Sequence, residues 1–160
     1  MFFKQETFLD RDRDGIGEYG TILELCAKDG TRLLRPLPTP LLSPSFLKTE
    51  KGGSFVRSGY CYQLYFSRDG SDWVPAGQTR VLDEDADIAE GRFLWLAWPA
   101  SYGNSGKRFF LIDERGVVME AENGERQYSG TTRVPAPAIA VTAGIRPIGV
   151  LRNGSRSRSR

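Results

Sequence analysis

"RFLWLAWP", residues 92–99, decides how the chain is read. Phe93 and Trp95 fall on one parity of the stretch, and Leu94, Leu96 and Trp98 on the other. Successive side chains of a strand point to opposite faces, so a stretch apolar on both parities predicts a central strand covered on each side. Working outward, "SGYCYQLYFS" (58–67) places Tyr60, Tyr62, Leu64 and Phe66 on one face and predicts a second strong strand. "KRFFLID" (107–113), the turn "ERG" and "VVMEAE" (117–122) read as a hairpin, joined to the central strand through the glycines of "SYGNSGK". "RDGSDW" supplies a turn after the second strand, and residues 73–75 a short edge strand.

The N-terminal third reads differently. Residues 2–9, "FFKQETFL", suit the last two turns of a helix with one apolar side. "GTILELCAK" predicts a short helix over 21–28, with Ile22, Leu25 and Cys26 on one face. Prolines at 36, 38, 40 and 44 exclude regular structure from 35–45, apart from one turn at 44–47, and "KGGS" (51–54) is a turn. After residue 130 come the proline-rich "VPAPAIAV", a last apolar segment "GIRPIGVL" and the low-complexity "NGSRSRSR". The expected fold class is therefore α+β: an N-terminal helix, an Asp-rich loop and short helix, then an antiparallel sheet of about four strands. One globular domain is expected over 1–151, with a disordered Ser/Arg tail over 152–160.

Net charge is +2, but Arg152, Arg156, Arg158 and Arg160 lie in the tail, and the rest holds 18 basic against 20 acidic residues, or −2. The basicity thus belongs to the tail, and the folded part has no overall positive charge to recruit nucleic acid. The chain contains no histidine. That removes the usual general base and the Ser-His and Cys-His nucleophile pairs, so the expectation is a protein that is not an enzyme. Cys26 and Cys61 are too few for a zinc site, and the sequence leaves open a disulfide or two buried thiols. No run of about 18 apolar residues is present.

"LDRDRDGIGEYG" (9–20) is the densest chemical motif. Calcium takes six to eight hard oxygen ligands, and alternating carboxylates converge on one point while the chain turns. Counted from Asp10 as loop position 1, Asp12 and Asp14 fall at 3 and 5, Gly15 at 6, Ile16 at 7 and Glu18 at 9. The EF-hand pattern breaks at position 12, where Thr21 stands in place of a bidentate glutamate, and Glu24 comes three residues late. What remains is a shortened calcium loop using Asp10, Asp12, Asp14, the Ile16 carbonyl and Glu18 or Glu24, set against a solvated turn that merely stops a helix. Calcium is the one cofactor expected.

A second acidic run, "VLDEDADIAEG" (81–91), reads as a solvated loop or short helix between strands rather than a second cation site. The aromatic residues at strand spacing read as core rather than a sugar-stacking platform. "GNSGK" lacks the spacing of a phosphate loop and is a hairpin connection.

"QETFLDRDRDGIGEYGTILEL" (5–25), "SGYCYQLYF" (58–66), "LWLAWPASYGNSGKRFFLIDERGVV" (94–118) and "YSG" (128–130) together resemble the soluble parts of type IV pilin-like and pseudopilin-like proteins. The resemblance covers about half of the chain, at scattered positions. It implies a helix packed on a four-stranded sheet, an extracytoplasmic home at the cell surface or in the periplasm, and a structural role in a pilus or secretion filament. The implied partners are other pilin-like subunits or cell-envelope proteins, with membrane contact only through an apolar N-terminal helix that this sequence lacks. On that reading the chain is a domain trimmed from a longer protein. The alternative expectation is a secreted or periplasmic module that binds a ligand or protein through its aromatic sheet edge. A carboxylate-dependent hydrolase comes last, since no acid pair can be singled out.

Overall fold

A computed structural model describes residues 10, 12–27, 37–47, 54–76, 86–138 and 144–148. The expected helix over 2–9 and the Ser/Arg tail lie outside these residues. Two strands of eight residues form the middle of the molecule: β2, Tyr60–Ser67, and β4, Arg92–Pro99, paired antiparallel along their whole length from Tyr60 opposite Pro99 to Ser67 opposite Arg92. β1 (Phe55–Arg57) and β3 (Val74–Ala76) share the other edge of β2, β1 beside its first half and β3 beside its second. Beyond β4 follow β5 (Arg108–Asp113), β6 (Met119–Glu122) and β7 (Arg146–Pro147), all antiparallel.

The sheet therefore has seven strands, in the order β1-β2-β4-β5-β6-β7 with β3 also on β2. Only two small α-helices accompany it, α1 (Ile22–Leu25) and α2 (Ala86–Gly91), with one 3₁₀ turn at Pro44–Leu47. This corrects the expected α+β architecture of a helix and about four strands: the described chain is mostly an antiparallel sheet. The reason lies in element length. β1 and β7 span three and two residues, too short to show a period of two, whereas the short edge strand expected at 73–75 is β3. Register secures β1, because Ser58 (φ 50°) and Gly59 (φ 79°) form a two-residue turn of the left-handed kind that matches the twist of paired strands. The α-helical share shrinks because α1 closes after one turn, where Ala27 takes φ 55°.

α1 is held at its start by a capping box. The Thr21 amide donates to Glu24 Oε2 (2.7 Å), and the Glu24 amide to Thr21 Oγ1 (3.4 Å). The buried Glu24 carboxylate is thus engaged at the helix start.

Both faces of the sheet carry an apolar cluster, as "RFLWLAWP" requires. Cys61, Tyr65, Leu94, Leu96, Trp98, Phe109 and Leu111 form one face. A loop after β6 seals it: the Asn123 amide group donates to the Tyr128 carbonyl (2.9 Å) and accepts from the Tyr128 amide (2.8 Å), laying Tyr128 edge-on against Phe109. Trp98 Nε1 donates to the Gly130 carbonyl at 2.8 Å. The opposite face carries Leu64, Phe66, Phe93 and Trp95 under α1, α2 and the 3₁₀ turn. Cys26 and Cys61 are buried in these two separate clusters and are not joined by a disulfide, which answers the question left by the sequence.

A candidate cation centre and an apolar groove

The Asp loop and α2, whose Asp12 and Asp87 are 75 residues apart in sequence, meet at one end of the second face. The Tyr19 amide donates to the Ala89 carbonyl of α2 (2.8 Å), and the Tyr19 ring packs edge-on against Phe93 with centroids 4.9 Å apart. α2 itself is seated by Gly91, where a Cβ would stand 2.2 Å from the Arg68 carbonyl oxygen, so only glycine permits this approach. Fully buried Ala89 faces the sheet, which turns Asp87 and Glu90 toward the loop.

Within the loop each aspartate accepts a backbone amide: Asp10 Oδ2 from Gly15 (3.2 Å), Asp12 Oδ1 from Asp14 (3.2 Å) and Asp14 Oδ1 from Ile16 (2.7 Å). These bonds coil the chain so that oxygens of Asp10, Asp12 and Asp14 lie within 4.8 Å of one another. A second triad, Asp12 with Asp87 and Glu90, meets the same limit, so Asp12 belongs to both. Asp10 Oδ1 and Glu90 Oε1 are buried and accept no hydrogen bond among the described residues. Burial, and then repulsion from Asp14, Asp12, Glu18 and Asp87, raises the Glu90 carboxyl above the ordinary value of 4.5. One cation reaches this cluster among the described residues, Arg68, which pairs with Asp87.

The structure thus brings together three of the five ligands expected from sequence, Asp10, Asp12 and Asp14, and adds two. Ile16 is held through its amide N–H, with a half-exposed side chain. Glu18 is fully buried; it stands outside both triads yet near enough to repel Glu90. Glu24 caps α1 instead. Asp87 and Glu90 belong to an acidic run that reads as solvated until a partner segment is placed against it. The T-x-x-E spacing of Thr21 and Glu24 was the legible sign that Glu24 was committed elsewhere.

An all-carboxylate set selects a hard cation, and several carboxylates from two segments suit calcium better than magnesium, which binds through one or two and keeps its water. Among the described residues no histidine or thiol joins the cluster. A cation bound there would neutralise the carboxylates and staple the loop to α2.

At the other end of the same face lies an open groove of about 570 Å³. Phe46, Tyr60, Tyr62, Trp95, Phe110 and Ile112 are among its walls, which are almost wholly apolar. The expectation that the aromatics are core holds for Tyr65, Trp98 and Phe109, whereas Tyr60, Tyr62 and Phe110 are only partly buried and face this groove.

A family model described as "Protein of unknown function (DUF2950)" matches residues 38–136, more than half of the chain. The match takes in α2 and the groove, and the Asp loop precedes it. No curated protein and no solved structure matches the chain. With β1 to β6 inside the matched region, the chain belongs to the DUF2950 family of proteins of unknown function.

Proposed function

We propose that this chain is a non-enzymatic binding domain of the cell envelope, stabilised by a calcium ion held between the Asp loop and α2. One observation carries the reading: carboxylates at 12, 87 and 90, from segments distant in sequence, converge within 4.8 Å, with a Glu90 oxygen buried and without a hydrogen-bond donor among the described residues. Like charges gathered in this way are unfavourable unless a cation offsets them. Each loop aspartate spends one oxygen on a backbone amide, which leaves its second oxygen for a ligand. Asp10, Asp12, Asp14, Asp87 and Glu90 would hold the ion, and calcium would supply charge compensation and rigidity. With no bidentate glutamate at the twelfth loop position, the expected dissociation constant is about 10⁻⁴ M or weaker, the range of extracellular modules. An extracytoplasmic setting goes with that affinity. The seven-stranded sheet leaves the filament-subunit role without support from the fold, and the open groove favours binding of a ligand.

Calorimetric titration tests the site. Calcium should bind with a stoichiometry of one, magnesium at least tenfold more weakly. Asp12→Asn and Glu90→Gln, one in each segment, should each weaken binding by about tenfold or more. Binding that Asp12→Asn abolishes and Glu90→Gln leaves untouched would confine the ion to the loop and remove the staple.

A further inference from the structure

The apolar groove has a charged rim on one side only in effect. Beyond Phe110, Arg108 and Arg146 are neutralised by Glu120 and Glu122: Arg108 lies 2.9 Å from Glu120 and 3.5 Å from Glu122, and Arg146 lies 3.1 Å from Glu120. On the opposite rim Arg57 stands across the β1–β2 hairpin from Tyr60, with its guanidinium carbon 4.8 Å from the centre of the Phe46 ring. Phe46 and Tyr60 both line the groove. Arg57 is exposed and has no acidic partner among the described residues, so it holds its charge beside an apolar cleft.

The groove's chemistry also limits what can fill it. A peptide laid into it would bring amide and carbonyl groups that need partners, and burying them unpaired is costly. The backbone of β2, β4 and β5 beneath the groove is already engaged in the sheet ladder. An aliphatic chain has no such groups along its length, and a volume of about 570 Å³ falls in the usual range for small ligands. We propose that the groove binds a free aliphatic carboxylate, its chain against Tyr60, Tyr62, Trp95 and Phe110 and its carboxylate paired with Arg57.

This inference names the ligand class of the binding domain proposed above and does not depend on the calcium site, so its test is run both in calcium and in EDTA. Decanoate, below its micellar concentration, is titrated into the full chain by calorimetry, with the Trp95 indole N–H followed by NMR. Saturable one-to-one binding with a shift at Trp95 is expected, and 1-decanol should bind at least tenfold more weakly. Arg57→Gln, at an exposed position, should lower decanoate affinity about tenfold and leave decanol unchanged. Ala97→Leu, which narrows the groove floor, should weaken both ligands, with folding checked by the dispersion of the NMR spectrum. Absence of saturable decanoate binding overturns the proposal, as does equal affinity for decanol or an Arg57→Gln variant that binds decanoate normally. Loss of calcium binding with decanoate binding intact would instead break the cation reading alone.

Discussion

Phe109 and Phe110 are neighbours in β5, yet they belong to two differently built halves of the molecule. Phe109 is fully buried on the face sealed by Asn123, Tyr128 and Trp98, where the Asn123 side-chain amide and the Trp98 indole N–H bond to the backbone of Tyr128 and Gly130. Phe110 is partly buried and forms a wall of the groove. The sealed face closes itself with the hydrogen bonds of Asn123 and Trp98 and, at one end, with the Asp113–Arg115 ion pair over Met119. The other face is closed at one end by short helical turns beneath an acidic cluster and left open at the other. The contrast separates tasks: one face holds the sheet together, and the other carries the groups that can meet an ion or a ligand.

Truncation on the two faces should expose this difference most strongly. Phe109→Ala is expected to cost about 3–5 kcal/mol of stability in denaturant unfolding, against about 1–2 kcal/mol for Phe110→Ala, whose ring is already partly hydrated. Equal losses would show that the groove is closed in solution. Next comes the polar clamp: Asn123→Ala leaves a buried carbonyl and amide of Tyr128 without partners and should cost about 2–3 kcal/mol, insensitive to calcium. Gly91→Ala forces α2 off the Arg68 backbone and should cost about 1–3 kcal/mol while also weakening calcium binding, which separates it from a purely local clash.

The smallest expected effect is a pH dependence. The folded state raises the Glu90 carboxyl, so folding favours its protonated form. The stability this supplies is full below the ordinary value of 4.5 and is lost as pH rises through the raised value. Unfolding in EDTA should therefore become easier as pH rises from the ordinary glutamate value toward neutrality, and Glu90→Gln should flatten that slope. A slope unchanged in the variant would assign it to other carboxylates.

What the sequence disclosed follows the length of each signal. β2, β4 and the β5–β6 hairpin were legible, since eight-residue runs and a hairpin turn leave clear periodicity. β1 and β7 were not, because strands of two or three residues are fixed by their neighbours. The candidate site was half legible. Alternation of Asp10, Asp12 and Asp14 is local, whereas Asp87 and Glu90 reach Asp12 only because the chain carries α2 back against Tyr19. The groove was hidden for a related reason: aromatic residues at strand spacing look alike whether a face is covered or open.

Thermal unfolding of the full chain in excess calcium and in EDTA, repeated with Asp12→Asn and with Glu90→Gln, measures the convergence of the two acidic segments most directly. Calcium at about ten times its dissociation constant should raise the wild-type midpoint by about 3–5 °C, and either substitution should abolish most of that rise. A midpoint indifferent to calcium, or a rise that survives Glu90→Gln in full, would contradict a cation staple between the Asp loop and α2.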